Sequence, residues 1–268
     1  MRTAPVAAGH FASGVPYLRV GEGPPLLAVS GLTPEHKNPT GFERRTELGR
    51  VALLSEHVTV YLVNRRPGIP AGTTMSDLAG DYAQAIQHEL GGGPVAVHGV
   101  STGGSLALQL AVDHPELVRR LVVVSAAYRL GPGGQQAQRD LGNSIAAGDA
   151  RGAWARFGRA VAPGATGPLV AGAMWAMASQ LTPDDPSDLL ATIAAEDAFD
   201  VLDGLGRITA PTLVIGGERD PLYSPDLFRR TADGIPGGRL VLLRGKGHLG
   251  ASAGDVTAAL SLGFLLGG

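Results

Sequence analysis

Six short apolar runs punctuate the chain: LLAVS (26–30), VTVYLV (58–63), VAVHG (95–99), LVVVS (121–125), TLVIG (212–216) and LVLL (240–243). They are rich in β-branched residues and bounded by Gly, Pro or charge. Continuous runs of this length suit strands buried on both faces, as in a parallel sheet. Helical patterns lie between them. Thr74-Met75-Ser76-Asp77 has capping-box form, and Met75, Leu78, Tyr82, Ile86 and Leu90 follow at helical spacing. Further helices are expected over about 102–112, 225–234 and 251–265. Strand–helix alternation predicts an α/β fold, a doubly wound, mostly parallel sheet with helices on both faces.

The alternation stops between about Arg129 and Leu205, where helical spacing continues without a convincing strand. The simplest reading is a helical insertion, a cap over 129–205, set into a core formed by 1–128 and 206–268. Residues 160–183 carry no charge, but Pro163, Gly164, Gly167 and Pro168 leave an apolar part too short to cross a bilayer. The N-terminal MRTAPVAAGHF lacks the apolar core of a signal peptide. A cytoplasmic protein without membrane contact is the expectation.

A formal net charge of -2 provides no long-range field for nucleic acid or an anionic membrane. The Arg pairs at 44–45, 65–66, 119–120 and 229–230 are scattered and read as solvated surface. The absence of cysteine removes disulfides, thiolate metal sites and thiol nucleophiles. Oligomeric state leaves no mark on the sequence.

HGVSTGG (98–104) follows Val95-Ala96-Val97 of the third run and opens a helical pattern. A sharp strand-to-helix turn would hold Ser101 in an unfavourable backbone region. Side chains at 99 and 103 would collide with neighbouring backbone, and Gly104 lets the helix approach the sheet. The hydroxyl then sits at a helix N-terminus, where free N–H groups favour the negative charge of acyl transfer. Such a serine needs a base and an orienting acid.

Of the seven histidines, His248 in GKGHLG follows the last run and shares the carboxyl edge with Ser101. His98 reads as a buried, hydrogen-bonded residue, His114 as a solvated helix end, and His10, His57 and His88 as surface. His36, after the first run, is a candidate substrate contact. Asp220 in GGERDPLY follows TLVIG at the same edge and would fix the imidazole tautomer. Glu218 competes with it, while Asp197, Asp200 and Asp203 read as a solvated face.

With GVSTG, GERDP and GKGH in this order, the chain resembles the α/β-hydrolase superfamily over nearly its whole length. The resemblance implies a Ser101–His248–Asp220 triad and an oxyanion hole from the backbone N–H of Thr102 and of a residue after the first core strand. SGLT stands there in place of the usual His-Gly context, making Leu32 the candidate. It further implies hydrolysis of a carboxylic ester on a small-molecule substrate, with no metal or organic cofactor. Trp154, Met174, Trp175, Tyr128 and Tyr223 are candidate walls for a small to medium, apolar ester. Lyase, cofactor-free oxygenase, perhydrolase or carbon–carbon hydrolase chemistry on the same site, or a non-catalytic receptor, stay open as alternatives.

Overall fold

The computed structural model describes residues 5–162 and 164–267. The first four residues of the N-terminal stretch, and Pro163 of the expected helix breakers, lie outside them. Among the described residues the strands are β1 Ala7–His10, β2 Pro16–Val20, β3 Pro25–Val29, β4 Thr59–Val63, β5 Val95–Val100, β6 Val118–Val124, β7 Thr212–Gly217 and β8 Arg239–Leu243. The helices are α1 Gly41–Ser55, α2 Met75–Glu89, α3 Thr102–Asp113, α4 Pro132–Ala146, α5 Ala150–Val161, α6 Gly167–Ala176, α7 Ala178–Leu181, α8 Ser187–Asp197, α9 Pro225–Gly234, α10 His248–Ser252 and α11 Asp255–Leu266.

All six expected runs are strands of one sheet, ordered β1-β2-β4-β3-β5-β6-β7-β8. β3 to β8 pair in parallel, and β1 and β2 form an antiparallel edge. That N-terminal hairpin is absent from the sequence expectation. β2 alternates, with Leu18 and Val20 buried and Arg19 exposed, so it shows no continuous run. β1 is a mostly exposed tetrapeptide of small residues and one histidine that β2 defines by pairing. Helix α1 is also unexpected, because it buries only Val51 and Leu54.

Two apolar layers cover the sheet. Leu78, Tyr82 and Ile86 of α2, Leu106 and Leu110 of α3, and Phe228 of α9 pack one face. Val51 and Leu54 of α1 and Leu265 of α11 pack the other. The Thr74 capping box is present, with Thr74 accepting from the Asp77 N–H and the Asp77 carboxylate accepting from the Thr74 N–H. The expected 251–265 helix is two pieces, α10 and α11, interrupted at Ala253–Gly254.

Between β6 and β7 the chain runs through α4 to α8 and a 3-10 turn at Leu202–Arg207. Its ends meet in an isolated bridge between Arg129 and Asp200. This segment has its own apolar cluster, including Leu141, Trp154, Leu189 and Ile193. No helix among the described residues is long and apolar enough to cross a membrane.

The strand order explains where a site forms. After β3 the chain leaves toward the α1 face, and after β5 it leaves toward the α3 face. The two connections part above adjacent strands, at the carboxyl edge, which opens a crevice. Leu32 follows β3 and Ser101 follows β5.

Candidate active site

Ser101 stands between β5 and α3 with φ 54° and ψ -127°, a left-handed conformation costly for a side-chain-bearing residue. Neighbouring contacts enforce it. The Ser101 N–H donates to the Val124 carbonyl at 2.9 Å, and the Ser101 carbonyl accepts from the N–H groups of Gly104 and Ser105. A Cβ at Gly99 would run into the Gly103 carbonyl, and one at Gly103 into the carbonyls of Val29 and Ser30. A Cβ at Gly104 would meet Ala126 at 2.5 Å, so α3 lies as close to the sheet as its sequence permits. The strained turn expected from the glycine spacing is present.

His248 and Asp220 converge on that serine. His248 Nε2 is 3.1 Å from Ser101 Oγ, and Nδ1 is 2.8 Å from Asp220 Oδ2. With the N–H on Nδ1, the ring donates to the carboxylate and accepts from the hydroxyl. Asp220 Oδ1 also accepts from the backbone N–H groups of Leu222 and Tyr223, so this buried carboxylate is well satisfied. Two bonds zip the supporting turns together, Glu218 N–H to Leu243 O and Arg219 N–H to Lys246 O. His248 is the first residue of α10 rather than a loop residue, and Ser252 Oγ ties down its carbonyl at 2.7 Å. Glu218, the competing acid, is exposed and accepts from the Gly245 N–H instead.

The chain after β3 lies against the nucleophile. A Cβ at Gly31 would stand 3.5 Å from Ser101 Cβ. Next along this loop, Leu32 packs onto the apolar cluster of the β6–β7 segment. Arg65 holds the loop: its Nη1 and Nη2 both donate to the Gly31 carbonyl at 3.1 Å, and Nη2 donates to Thr33 Oγ1 at 2.7 Å. Arg65 was expected at the surface but is only 1% exposed. Burial pulls its pKa down, against the opposing fields of Tyr82, Glu196 and Asp188.

The remaining expected contacts divide. Tyr223 is buried and stacks on the His248 ring. His36 is buried, and its ring nitrogens are occupied by protein: Nδ1 faces the Arg66 carbonyl at 2.9 Å and Nε2 accepts from Arg65 Nε at 3.1 Å. Its hydrogen-bonding capacity is spent on the fold. Burial, then the Arg65 charge, lowers its pKa to about 4. Tyr128 is buried in the core beneath Arg129 and Arg230. Trp154 is buried in the helical segment, with its indole N–H on Thr182 Oγ1 at 2.8 Å, and half-buried Met174 packs on the same cluster. Trp175 is a correction. It is 49% exposed, with the Arg151 guanidinium 4.8 Å from its ring centroid, because α6 turns that face outward.

Sequence reasoning missed Glu196. This fully buried residue of α8 accepts from Thr102 Oγ1 at 2.7 Å, Ser105 Oγ at 2.9 Å and Gln138 Nε2 at 2.8 Å. Its signal was present: Leu189, Thr192, Ile193 and Glu196 share one helical face, and the first three are buried. Among the described residues no group of three or more His, Asp or Glu side chains is arranged to hold a metal ion. A cavity of about 330 Å³ adjoins Gly31 and Val100, but it opens on the α1–α11 face, and neither Ser101 nor His248 lines it.

The profile of the alpha/beta hydrolase family matches residues 26–260. The chain belongs to that family. The "Putative non-heme bromoperoxidase BpoC" of Mycobacterium tuberculosis is 31% identical over 184 residues, which is 67% of this chain and 70% of the relative. Two solved structures show the same fold. A hydrolase from Pseudomonas aeruginosa superposes with a TM-score of 0.77 at 24% identity, covering 98% of each chain. A carboxylesterase from Bacillus subtilis superposes with a TM-score of 0.74 at 19% identity, covering 99% of this chain and 92% of its own.

Proposed function

We propose that this alpha/beta hydrolase cleaves a small to medium, largely apolar carboxylic ester through an acyl-enzyme on Ser101. The observation that carries the reading is the unbroken run from Ser101 Oγ through His248 to Asp220, at 3.1 and 2.8 Å. Ser101 Oγ attacks the carbonyl carbon as its proton passes to His248 Nε2. Asp220 keeps the Nδ1 proton in place and stabilises the imidazolium. The N–H groups of Thr102 and Leu32 receive the oxyanion. Collapse expels the alcohol, which takes the proton from His248. Water, deprotonated by the same nitrogen, then releases the acid and restores the serine. The 129–205 segment acts as the cap over this edge, and the apolar cluster against Leu32 supports an apolar substrate.

Aryl esters of rising acyl length, assayed with wild type and Ser101→Ala, test the reading. Turnover should vanish in the variant, and a serine-directed phosphonate should add its mass to the Ser101 peptide. Absence of both turnover and adduct in wild type would overturn it.

A second reading is favoured by the name of the mycobacterial relative. Hydrogen peroxide in place of water at the acyl-enzyme would yield a peracid. Adding peroxide and bromide to the ester assay detects it as halide oxidation dependent on Ser101.

A further inference from the structure

Two buried charges flank the elbow, and the acyl-transfer chemistry gives neither a part. Glu196 grips the first turn of α3 through the hydroxyls of Thr102 and Ser105, and reaches α4 through Gln138. Arg65 grips the other wall through Gly31 O and Thr33 Oγ1, with a longer reach of 3.4 Å to Ser30 O. No carboxylate among the described residues lies within ion-pair distance of Arg65. Its negative partners, Glu196 and Asp188, act through space. Burying an ion costs several kcal/mol unless its hydrogen bonds are well made. An apolar pair of similar size would serve helix packing better.

What the two ions share is their target. Arg65 holds the Gly31 carbonyl before Leu32 and the Thr33 hydroxyl after it, and Glu196 holds the side chain of Thr102. These are the two residues whose N–H groups are proposed to bind the oxyanion. Neither charge bonds to Ser101, His248 or Asp220. Stabilising a developing oxyanion depends on donors already aimed before reaction, and such aim comes from locked supporting groups.

We infer that Arg65 and Glu196 are positioning residues for the oxyanion site, Arg65 fixing the Gly31–Thr33 loop and Glu196 fixing the first turn of α3. The inference rests on the acyl-transfer reading above. It also links the β6–β7 segment to the chemistry, since Glu196 lies on α8 and Gln138 on α4. Any shift of these helices reaches Thr102 through one carboxylate.

The test compares Glu196→Ala, Glu196→Gln, Thr102→Val and Arg65→Lys with wild type. The readouts are kcat and KM for an aryl ester, the rate of Ser101 phosphonylation, and Tm. Glutamine fits the same bonds: its carbonyl accepts from Thr102 and Gln138 while its amide donates to Ser105. Glu196→Ala and Thr102→Val should each lower kcat and the phosphonylation rate by about 10- to 100-fold, as donor misplacement does, with KM little changed. Their double variant should lose no more than either alone, because they break one connection. Glu196→Gln should recover most of the rate. Arg65→Lys keeps the charge but loses the planar fork, and should lower kcat without raising KM.

A folded Glu196→Ala protein with lowered Tm and wild-type rates would reduce Glu196 to a packing residue and overturn the inference, as would additive losses or an unchanged kcat in Arg65→Lys. If Glu196→Ala fails to fold, Thr102→Val decides alone, since it exchanges one hydroxyl for a methyl. Wild type that neither turns over esters nor labels at Ser101 would remove the acyl-transfer reading and this inference with it. Wild type that labels no faster than the variants would remove this inference only.

Discussion

The ring of Tyr223 lies parallel to the His248 imidazole, with 17° between the planes and 6.0 Å between the centroids. The backbone N–H of the same residue donates to Asp220 Oδ1 at 3.2 Å. One residue therefore supports both the proposed base and the acid that orients it. Its own phenol is buried beside Ser105 and Glu196 without a well-formed hydrogen bond to either, and burial, then the Glu196 charge, holds its pKa well above the ordinary value.

Tyr223→Phe keeps the stack and the backbone bond while deleting an unpaired hydroxyl. An unsatisfied buried polar group costs about 1–3 kcal/mol, so thermal unfolding should show an unchanged or raised Tm. Tyr223→Ala removes the wall behind His248 and should cost about 3–5 kcal/mol, as large aromatic deletions do. A clear fall in the Tm of Tyr223→Phe would show that the hydroxyl has a partner after all.

The choice between the two acids in GGERDP is open to direct measurement. Asp220→Asn preserves shape but offers the imidazole an amide, and should lower ester kcat by about 10³-fold or more. Glu218→Gln touches only the Gly245 N–H at the surface and should leave kcat near that of wild type. Reversal of these two results would move the orienting role to Glu218.

The residues brought together at the carboxyl edge were legible because each follows a continuous apolar run. Ser101 comes directly after β5, and Asp220 and His248 come within five residues of the ends of β7 and β8. Such runs betray strands buried on both sides, and a parallel sheet gathers the segments that follow them. The N-terminal hairpin was illegible for the opposite reason: an edge strand is specified by its pairing, as Gly9 opposite Tyr17 shows. Arg65 was illegible because nothing local separates a buried ion from a solvated one, whereas Glu196 could have been read from the buried helical face it shares with Leu189, Thr192 and Ile193. Arg65 adjoins Arg66, which is more exposed and pairs with Asp81 at 2.8 Å. The burial of Arg65 follows from the Gly31–Thr33 loop, remote in sequence, which needs a donor there. Trp175 misled similarly, since the uncharged stretch around it hides which face of α6 turns to solvent.

His98 makes stability depend on pH. Burial, only partly offset by its own backbone hydrogen bond, lowers its pKa from 6.5 to about 4. Above pH 6.5 the ring is neutral in the folded and unfolded chain alike. As pH falls toward 4 the unfolded chain binds a proton that the folded chain refuses, so stability is lost through that window. The full shift corresponds to roughly 3 kcal/mol. His36, lowered likewise, adds a loss of the same sign. Urea unfolding at both ends of the window should show a shallower pH dependence for His98→Gln than for wild type. Equal slopes would mean that His98 is protonated in the folded protein.

Gly103 and Gly172 separate two uses of glycine. A Cβ at Gly103 would strike the carbonyls of Val29 and Ser30, where α3 crosses the end of β3. Backbone cannot rotate aside as a side chain does, so Gly103→Ala must lift the first turn of α3 off the sheet. Overpacking of this kind costs about 1–3 kcal/mol or more. The same displacement carries Ser101 away from His248, so the phosphonylation rate should fall even in protein that still folds. Gly172 lies exposed in α6 with open space around its missing Cβ. There alanine should raise stability by about 1 kcal/mol, through helix propensity and a less disordered unfolded chain. Tm and Ser101 labelling, measured together on both variants, check the pair. Gly103→Ala with wild-type labelling would show that the elbow does not need its glycine.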